Sequence, residues 1–138
     1  MKECHVKIGK YAWNLSVYFA VTCYHTDNIV SSLLEIDCPE EIVRRVAANL
    51  EKREMDTGFT YSNKPRRETV MVVGLHSSAP EFLNSFEHEL RHLVDDMADA
   101  LFLEPKEEVA YLTGELNAIL WKDIHQFVCC KCKGHGKR

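Results

Sequence analysis

Two histidines four residues apart have the clearest chemical meaning in this sequence. They are His88 and His92, in the segment His88-Glu89-Leu90-Arg91-His92. On a helix their side chains point the same way, because four residues make one turn plus about 40°. Two imidazoles placed like this can bind one zinc ion at about 2.0–2.1 Å each. Glu89 lies about 100° around the helix from His88, where its carboxylate can act as general base toward a zinc-bound water.

The surrounding pattern predicts the helix that these side chains require. Ser78 and Glu81 have the spacing of a capping box, so we expect a helix to begin near Ala79. An apolar stripe then runs to about residue 103. Its members are Phe82, Leu83, Phe86, Leu90, Leu93, Val94, Met97, Ala100 and Leu101. The helix is therefore predicted without any use of the histidines.

The helix face that carries the histidines has two interpretations. His88 and His92 lie opposite the apolar stripe, together with Asp95 and Asp99. Zinc ligands beside a cleft would occupy this face, and the two aspartates would orient the imidazoles by accepting their second N–H. The alternative is a polar, solvated helix face with ordinary aspartates. We favour the metal site, because the chemistry of the motif accounts for its residue types and their spacing.

The motif resembles that of the gluzincin branch of zinc metallopeptidases. In that group a glutamate from the next helix is the third ligand, often in a Glu-x-x-Ala setting, and the segment Glu107-Glu108-Val109-Ala110 fits this pattern. The resemblance covers about residues 88 to 118. It implies a zincin-like fold, a zinc cofactor and a peptide or protein substrate. The interval from His92 to Glu107 is short for this branch, and the Gly-x-x-His extension typical of the metzincin branch is missing.

Helical phase favours Glu107 over Glu108 as the third ligand. Glu107 shares a face with Gly114 and Ala118, whose small side chains permit close approach of a neighbouring helix. Glu108 belongs to a polar stripe and remains the alternative. A third protein ligand is expected because catalytic zinc sites combine three such ligands with a water. Further candidates for this position are Asp95, Asp99 and His125.

The last residues of the chain are a second place with metal-binding chemistry. Thiolates near a histidine suit zinc, and the donors here are Cys129, Cys130, Cys132 and His135. Three thiols within four residues are nevertheless difficult to arrange tetrahedrally around one ion. A basic tail, or a weak site shared with Cys4 and His5, is an equally good interpretation of residues 129–138.

Composition indicates a single globular domain and excludes some classes of partner. The chain has 138 residues, of which 46% are hydrophobic. The last eight residues hold four of its 17 basic residues and no acidic one, which leaves 13 basic against 21 acidic residues and a net charge of −8 elsewhere. Such an acidic body is a poor partner for nucleic acid. We expect no membrane span, a cytoplasmic location and reduced cysteines.

The remaining pattern predicts the order of elements around the motif helix. Residues 12–24 alternate as a half-buried strand, with Leu15, Val17, Phe19, Val21 and Cys23 on one face, and lack a signal-peptide cleavage site. A short helix near 29–34 and a clearer one over 38–54, capped by Asp37, follow. Residues 59–61 and 69–75 form a hairpin whose second strand is buried on both faces. Pro105 opens a last helix that continues to about residue 128.

These elements predict an α+β fold, a small zincin-like domain with a short, mostly antiparallel sheet packed on helices. The domain spans residues 1–128 and a Cys-rich basic tail follows. The predicted function is a zinc-dependent, peptidase-like hydrolase. An inactive zincin-like scaffold that keeps metal for structure or partner binding is the alternative, and a thiol-based module in the tail is a third hypothesis. Side chains of a type suited to an oxyanion are His76, Tyr111, Tyr61 and Arg67.

Overall fold

Four strands form one mixed sheet in the computed structural model, which describes residues 1–52 and 58–129. They are β1 (Lys2–Ile8), β2 (Trp13–Val21), β3 (Phe59–Asn63) and β4 (Glu68–Gly74). The sheet order is β1-β2-β4-β3. β1 runs antiparallel to β2 and β3 antiparallel to β4, whereas β2 and β4 are parallel. The sheet is thus mostly antiparallel, as predicted, with β1 and β3 at its edges.

Two helices cover each face of the sheet. The bounds are α1 (Thr26–Glu35), α2 (Glu40–Glu51), α3 (Ala79–Leu101) and α4 (Glu107–Val128). Alternate residues of β4 point to opposite faces of the sheet. Met71 and Val73 belong to the core beneath α3 and α4. Val70 and Val72 belong to the core beneath α1 and α2. The protein is therefore α+β, with β4 buried on both faces as predicted.

The motif helix α3 begins and packs as the sequence predicts. The Ser78 hydroxyl accepts a hydrogen bond from the Glu81 backbone N–H at 3.3 Å. The Glu81 carboxylate accepts one from Ser78 at 3.0 Å and one from Ser77 at 2.8 Å. The apolar stripe is buried along most of its length, although Leu83 is 42% exposed. The helix ends where Phe102 adopts a left-handed conformation, with φ of 55°.

Polar residues interrupt the apolar surface of both long helices. α3 has 23 residues and α4 has 22, long enough to cross a bilayer if they were apolar throughout. Within residues 1–52 and 58–129, no helix combines the length and hydropathy that a membrane span requires.

The other predicted elements are present, but two helix starts were wrong. α2 begins at Glu40 with Pro39 as its N-cap, instead of being capped by Asp37. Asp37 has a φ of 60°, a left-handed conformation that belongs to the turn after α1. α4 begins at Glu107 with Lys106 as its N-cap, so Pro105 precedes the helix rather than opening it.

Two features of the sheet did not follow from the sequence pattern. β1 was not predicted, because its apolar residues alternate with charged ones over only seven positions. The register of β2 against β4 also shifts between Tyr18 and Val21, where Ala20 has a φ of 56°. This bulge turns Val21 toward α1 and α2, although it was expected on the face of Phe19, and Cys23 lies beyond the strand.

Candidate metal site

His88 and His92 lie side by side on the face of α3 that points away from the sheet. Both side chains are exposed. Their ring centres are 5.0 Å apart, and their planes are inclined by 79°. Neither imidazole hydrogen-bonds to another side chain or backbone group in the described part of the chain. The predicted pair is therefore brought together, with its ring nitrogens available.

The ring separation is compatible with a shared zinc ion. An ion about 2.0–2.1 Å from one nitrogen of each ring would lie roughly 3 Å from each ring centre. If each ring turns one nitrogen toward the same point, ring centres 5.0 Å apart correspond to a ligand–metal–ligand angle close to the tetrahedral value that zinc prefers. Two imidazole ligands on an exposed face would also leave coordination positions for water and for a further ligand.

Glu89 is a buried carboxylic acid next to this exposed pair. Only 2% of its surface is accessible, because it points along the side of α3 toward β3. Burial raises the pKa of Glu89, while a hydrogen bond from Thr60 and the proximity of His88 and His92 act in the opposite direction. Both histidines thus lie near enough to this carboxyl group to influence its pKa.

The two oxygens of the Glu89 carboxylate have different surroundings. Oε1 accepts a hydrogen bond from the Thr60 hydroxyl at 2.8 Å, and the same hydroxyl lies 3.2 Å from the Glu89 carbonyl oxygen. Oε2 accepts no hydrogen bond from the described residues, yet it is not among the fully buried atoms that lack a partner. Thr60 therefore fixes one oxygen and leaves the other open to a proton donor.

Neither glutamate proposed as the third ligand joins the histidine pair. Glu107 and Glu108 are exposed in the first turn of α4. Glu108 accepts a hydrogen bond from the Glu104 backbone N–H at 2.8 Å. Because α3 continues to Leu101, nine residues past His92, its end lies roughly 13 Å farther along the helix axis. No group of three or more His, Cys, Asp or Glu side chains suited to a metal occurs in residues 1–52 and 58–129.

The remaining polar candidates for the site have other partners. Asp95 forms an ion pair with Arg91 at 2.9 Å, and Asp99 forms one with Lys64 at 2.8 Å. Both aspartates are exposed, and neither hydrogen-bonds to an imidazole in the described structure. His125 contacts the indole ring one turn earlier on α4, with centres 5.1 Å apart.

The side chains considered for an oxyanion are spread over the molecule. Tyr111 is 69% exposed on α4, and Arg67 donates to a backbone carbonyl at 2.8 Å. Burial raises the pKa of Tyr61 on β3. His76 lines a cavity of about 350 Å³ at the carboxyl ends of β2 and β4. None of the four shares a hydrogen bond or ring contact with the histidine pair in the described residues.

Polar contacts between β3 and α3 were missed by the sequence analysis. Besides the contact from Thr60 to Glu89, Ser62 donates to Asp96 at 2.6 Å. Ser62 also lies 2.8 Å from the hydroxyl of Thr69, which accepts from a buried indole at 2.9 Å. The hydroxyls lie two residues apart on one face of β3, and the carboxylates lie seven residues apart on one side of α3. The sequence shows both spacings, but they indicate these contacts only once β3 is known to lie beside α3.

The cysteines divide into described and undescribed groups. Cys130, Cys132 and His135 lie outside the described residues, and Cys129 follows the end of α4. Cys4 and His5, suggested as partners of the C-terminal segment, lie on opposite faces of β1, with Cys4 buried in the core and His5 exposed. Cys4 donates to Asp123, and His5 contacts Glu3 and Ser16.

Similarity to other proteins provides no further assignment. The chain matches no protein-family model, no curated protein and no solved structure. The geometry of α3 and β3 is therefore the basis of the functional proposal.

Proposed function

We propose that this protein is a zincin-like, zinc-dependent hydrolase of the peptidase type, with a peptide or protein as substrate. His88 and His92 are the ligands that the ring geometry supports, and Glu107 is the third ligand implied by the resemblance to gluzincins. The observation that carries the proposal is Glu89, a buried carboxylate fixed through one oxygen beside two exposed imidazoles. Zinc bound at this place would polarise the scissile carbonyl and lower the pKa of its bound water.

The chain's own residues have distinct tasks in this proposal. The two histidines would hold the ion on a helix whose opposite face packs in the core. Glu89 accepts a proton from the attacking water at its open oxygen Oε2 and returns it to the leaving amine, so that no net proton is gained. Thr60 keeps the other oxygen in place.

The energetic cost of the Glu89 position supports a functional role. A buried carboxylate with a single hydrogen bond from the chain costs stability relative to a solvated one. Groups whose pKa is shifted by burial are concentrated at functional sites, although structural networks also contain them. Glu89 combines this property with its placement next to a candidate ligand pair.

Substitution of Glu89 by glutamine is the decisive test. The Glu89→Gln variant is expected to keep zinc and to lose hydrolysis by about 10²–10⁴-fold, because the amide cannot accept the proton. Glu87→Gln is the matched control, since Glu87 is exposed and lies on the other side of His88. His88→Ala should lose both zinc and activity. Equal hydrolysis by wild type and Glu89→Gln would contradict the proposal.

A catalytically inactive scaffold is the second candidate, and the position of the third ligand favours it. Residues 1–52 and 58–129 gather no third donor at the pair, and Glu107 and Glu108 are exposed. A two-histidine site could then serve stability or a partner that supplies further ligands. This candidate predicts zinc binding that depends on His88, with no cleavage of a broad peptide library by the zinc-loaded protein.

Zinc stoichiometry also separates the helix site from the C-terminal segment. Loss of one zinc in His88→Ala supports the pair on α3. Retention of zinc in that variant, with loss after removal of residues 129–138, would place the metal in the Cys-rich segment instead.

A further inference from the structure

We infer that Thr60 is a positioning residue for Glu89, through which the edge strand β3 controls the alignment of the general base. The inference rests on the proposed function, because it concerns the same proton transfer. It adds a residue from a different element, which no motif in the sequence indicates.

The contact between Thr60 and Glu89 is specific in its geometry. One hydroxyl lies 2.8 Å from Glu89 Oε1 and 3.2 Å from the Glu89 carbonyl oxygen, so it contacts both the side chain and the helix backbone. Glu89 is 2% exposed and has no other hydrogen-bond donor to its carboxylate in the described residues. Rotation of the carboxyl group is therefore restrained by Thr60 alone among the described polar groups.

The neighbouring contact on the same strand provides a natural comparison. Ser62 follows Thr60 by two residues and donates to Asp96 at 2.6 Å, in the same direction from β3 to α3. Asp96 lies seven residues beyond Glu89, two turns along the same side of α3. Both contacts fasten β3 to α3, but only the one from Thr60 reaches the residue beside the histidine pair. A purely structural role would make the two contacts equivalent.

A misplaced base lowers the rate of proton transfer without changing the affinity for substrate or metal. Thr60 touches neither histidine through any hydrogen bond of the described structure. Loss of the Thr60 hydroxyl should therefore reduce kcat, while KM and zinc affinity stay close to the wild-type values. Partners that orient reacting groups at metal sites typically contribute about 10–100-fold to activity.

The test uses the full-length, zinc-loaded protein and five variants. Thr60→Val removes the hydroxyl with little change in shape, and Thr60→Ser restores it. Ser62→Ala is the matched control on β3. We expect kcat to fall about 10–100-fold in Thr60→Val, to recover in Thr60→Ser and to remain near wild type in Ser62→Ala. Glu89→Gln combined with Thr60→Val should be no slower than Glu89→Gln alone, because the hydroxyl acts only through Glu89.

The outcomes separate the inference from the proposed function. A zinc-loaded wild type that hydrolyses nothing overturns both. An active wild type whose kcat is unchanged in Thr60→Val overturns the inference alone. Equal losses in Thr60→Val and Ser62→Ala would show a structural role for the strand, and thermal unfolding of each variant establishes that the comparison is made on folded protein.

Discussion

Burial raises the pKa of both Glu89 and Cys4, but the surroundings of the two side chains differ. At Glu89 the Thr60 hydroxyl and the nearby histidines oppose the effect of burial. At Cys4 the burial effect is reinforced by a hydrogen bond to Asp123 and by the charge of that carboxylate, and the pKa rises to about 12. The Cys4 thiol is therefore protonated at every physiological pH and is a structural residue.

Cys4 should consequently react slowly with alkylating reagents in the native protein. Near pH 9 a thiol with this pKa has a thiolate fraction about 10³-fold below that of an ordinary cysteine. Iodoacetamide labelling followed by mass spectrometry should show slow modification of Cys4 in the folded chain and rapid modification in urea. Asp123→Asn should accelerate labelling, because it removes the negative charge that disfavours the thiolate. Rapid labelling of native wild type would contradict this account.

Among the elements, α3 shows how far the sequence could be interpreted. Its start, its length and the apposition of His88 and His92 all follow from a capping residue and an apolar stripe within one segment. The position of Glu89 against Thr60 does not, because it depends on which strand packs beside the helix. Whether Glu107 can reach the histidine pair likewise depends on the distance between two helix segments, which helical phase alone cannot predict.

The same limit explains the errors in the sheet. β4 was recognisable because β-branched residues fill both of its faces. β1 alternates apolar and polar residues too briefly to be recognised as a strand, and the pattern within β1 does not indicate that it pairs with β2. The bulge at Ala20 reverses the pattern of β2 near its end, which no count of alternating residues reveals. The α+β class was thus predictable, whereas the topology of the sheet was not.

The N-cap of α3 should make a measurable contribution to stability. Ser78→Ala removes the acceptor for the Glu81 backbone N–H and should lower the free energy of unfolding by about 1 kcal/mol. Ser77→Ala is the control, because the hydrogen bond of Ser77 in the described structure goes to the Glu81 carboxylate and not to its backbone N–H. Urea denaturation of the variants provides the comparison, and equal effects of the two substitutions would contradict the assigned cap.

Glu81 adds a pH dependence to this cap. Hydrogen bonds from Ser77 and Ser78 lower the pKa of Glu81, so the folded state binds a proton less readily than the unfolded state. The resulting stability is present above the usual pKa range of a glutamate and is lost as pH falls through the lowered pKa. The penalty of Ser77→Ala should therefore shrink in acid, as measured by denaturation at several pH values.

For the whole molecule, β4 is the element that joins the two cores. Met71 is fully buried on the side of α3 and α4, and Val72 is 1% exposed on the side of α1 and α2. Because consecutive residues of one strand anchor both cores, the layers cannot separate without breaking β4. We therefore expect the chain to unfold in a single cooperative step.

Substitutions at these two positions test this expectation. Met71→Ala should lower the free energy of unfolding by about 2–5 kcal/mol, and Val72→Ala should have a smaller effect because it removes fewer atoms. Fluorescence of the buried Trp13, together with far-ultraviolet circular dichroism, should follow one common transition in both variants. Two separate transitions would show that the layers are independent.

The parallel pairing of β2 with β4 has a consequence for the time course of folding. Leu15 pairs with Thr69, 54 positions along the chain, whereas both hairpins join residues close in sequence. The hairpins can form within microseconds, but the central ladder requires closure of a long loop before any of its contacts are gained. Assembly of the two hairpins is then the slow step, and the unpaired edges of β2 and β4 are exposed to other chains until it is complete.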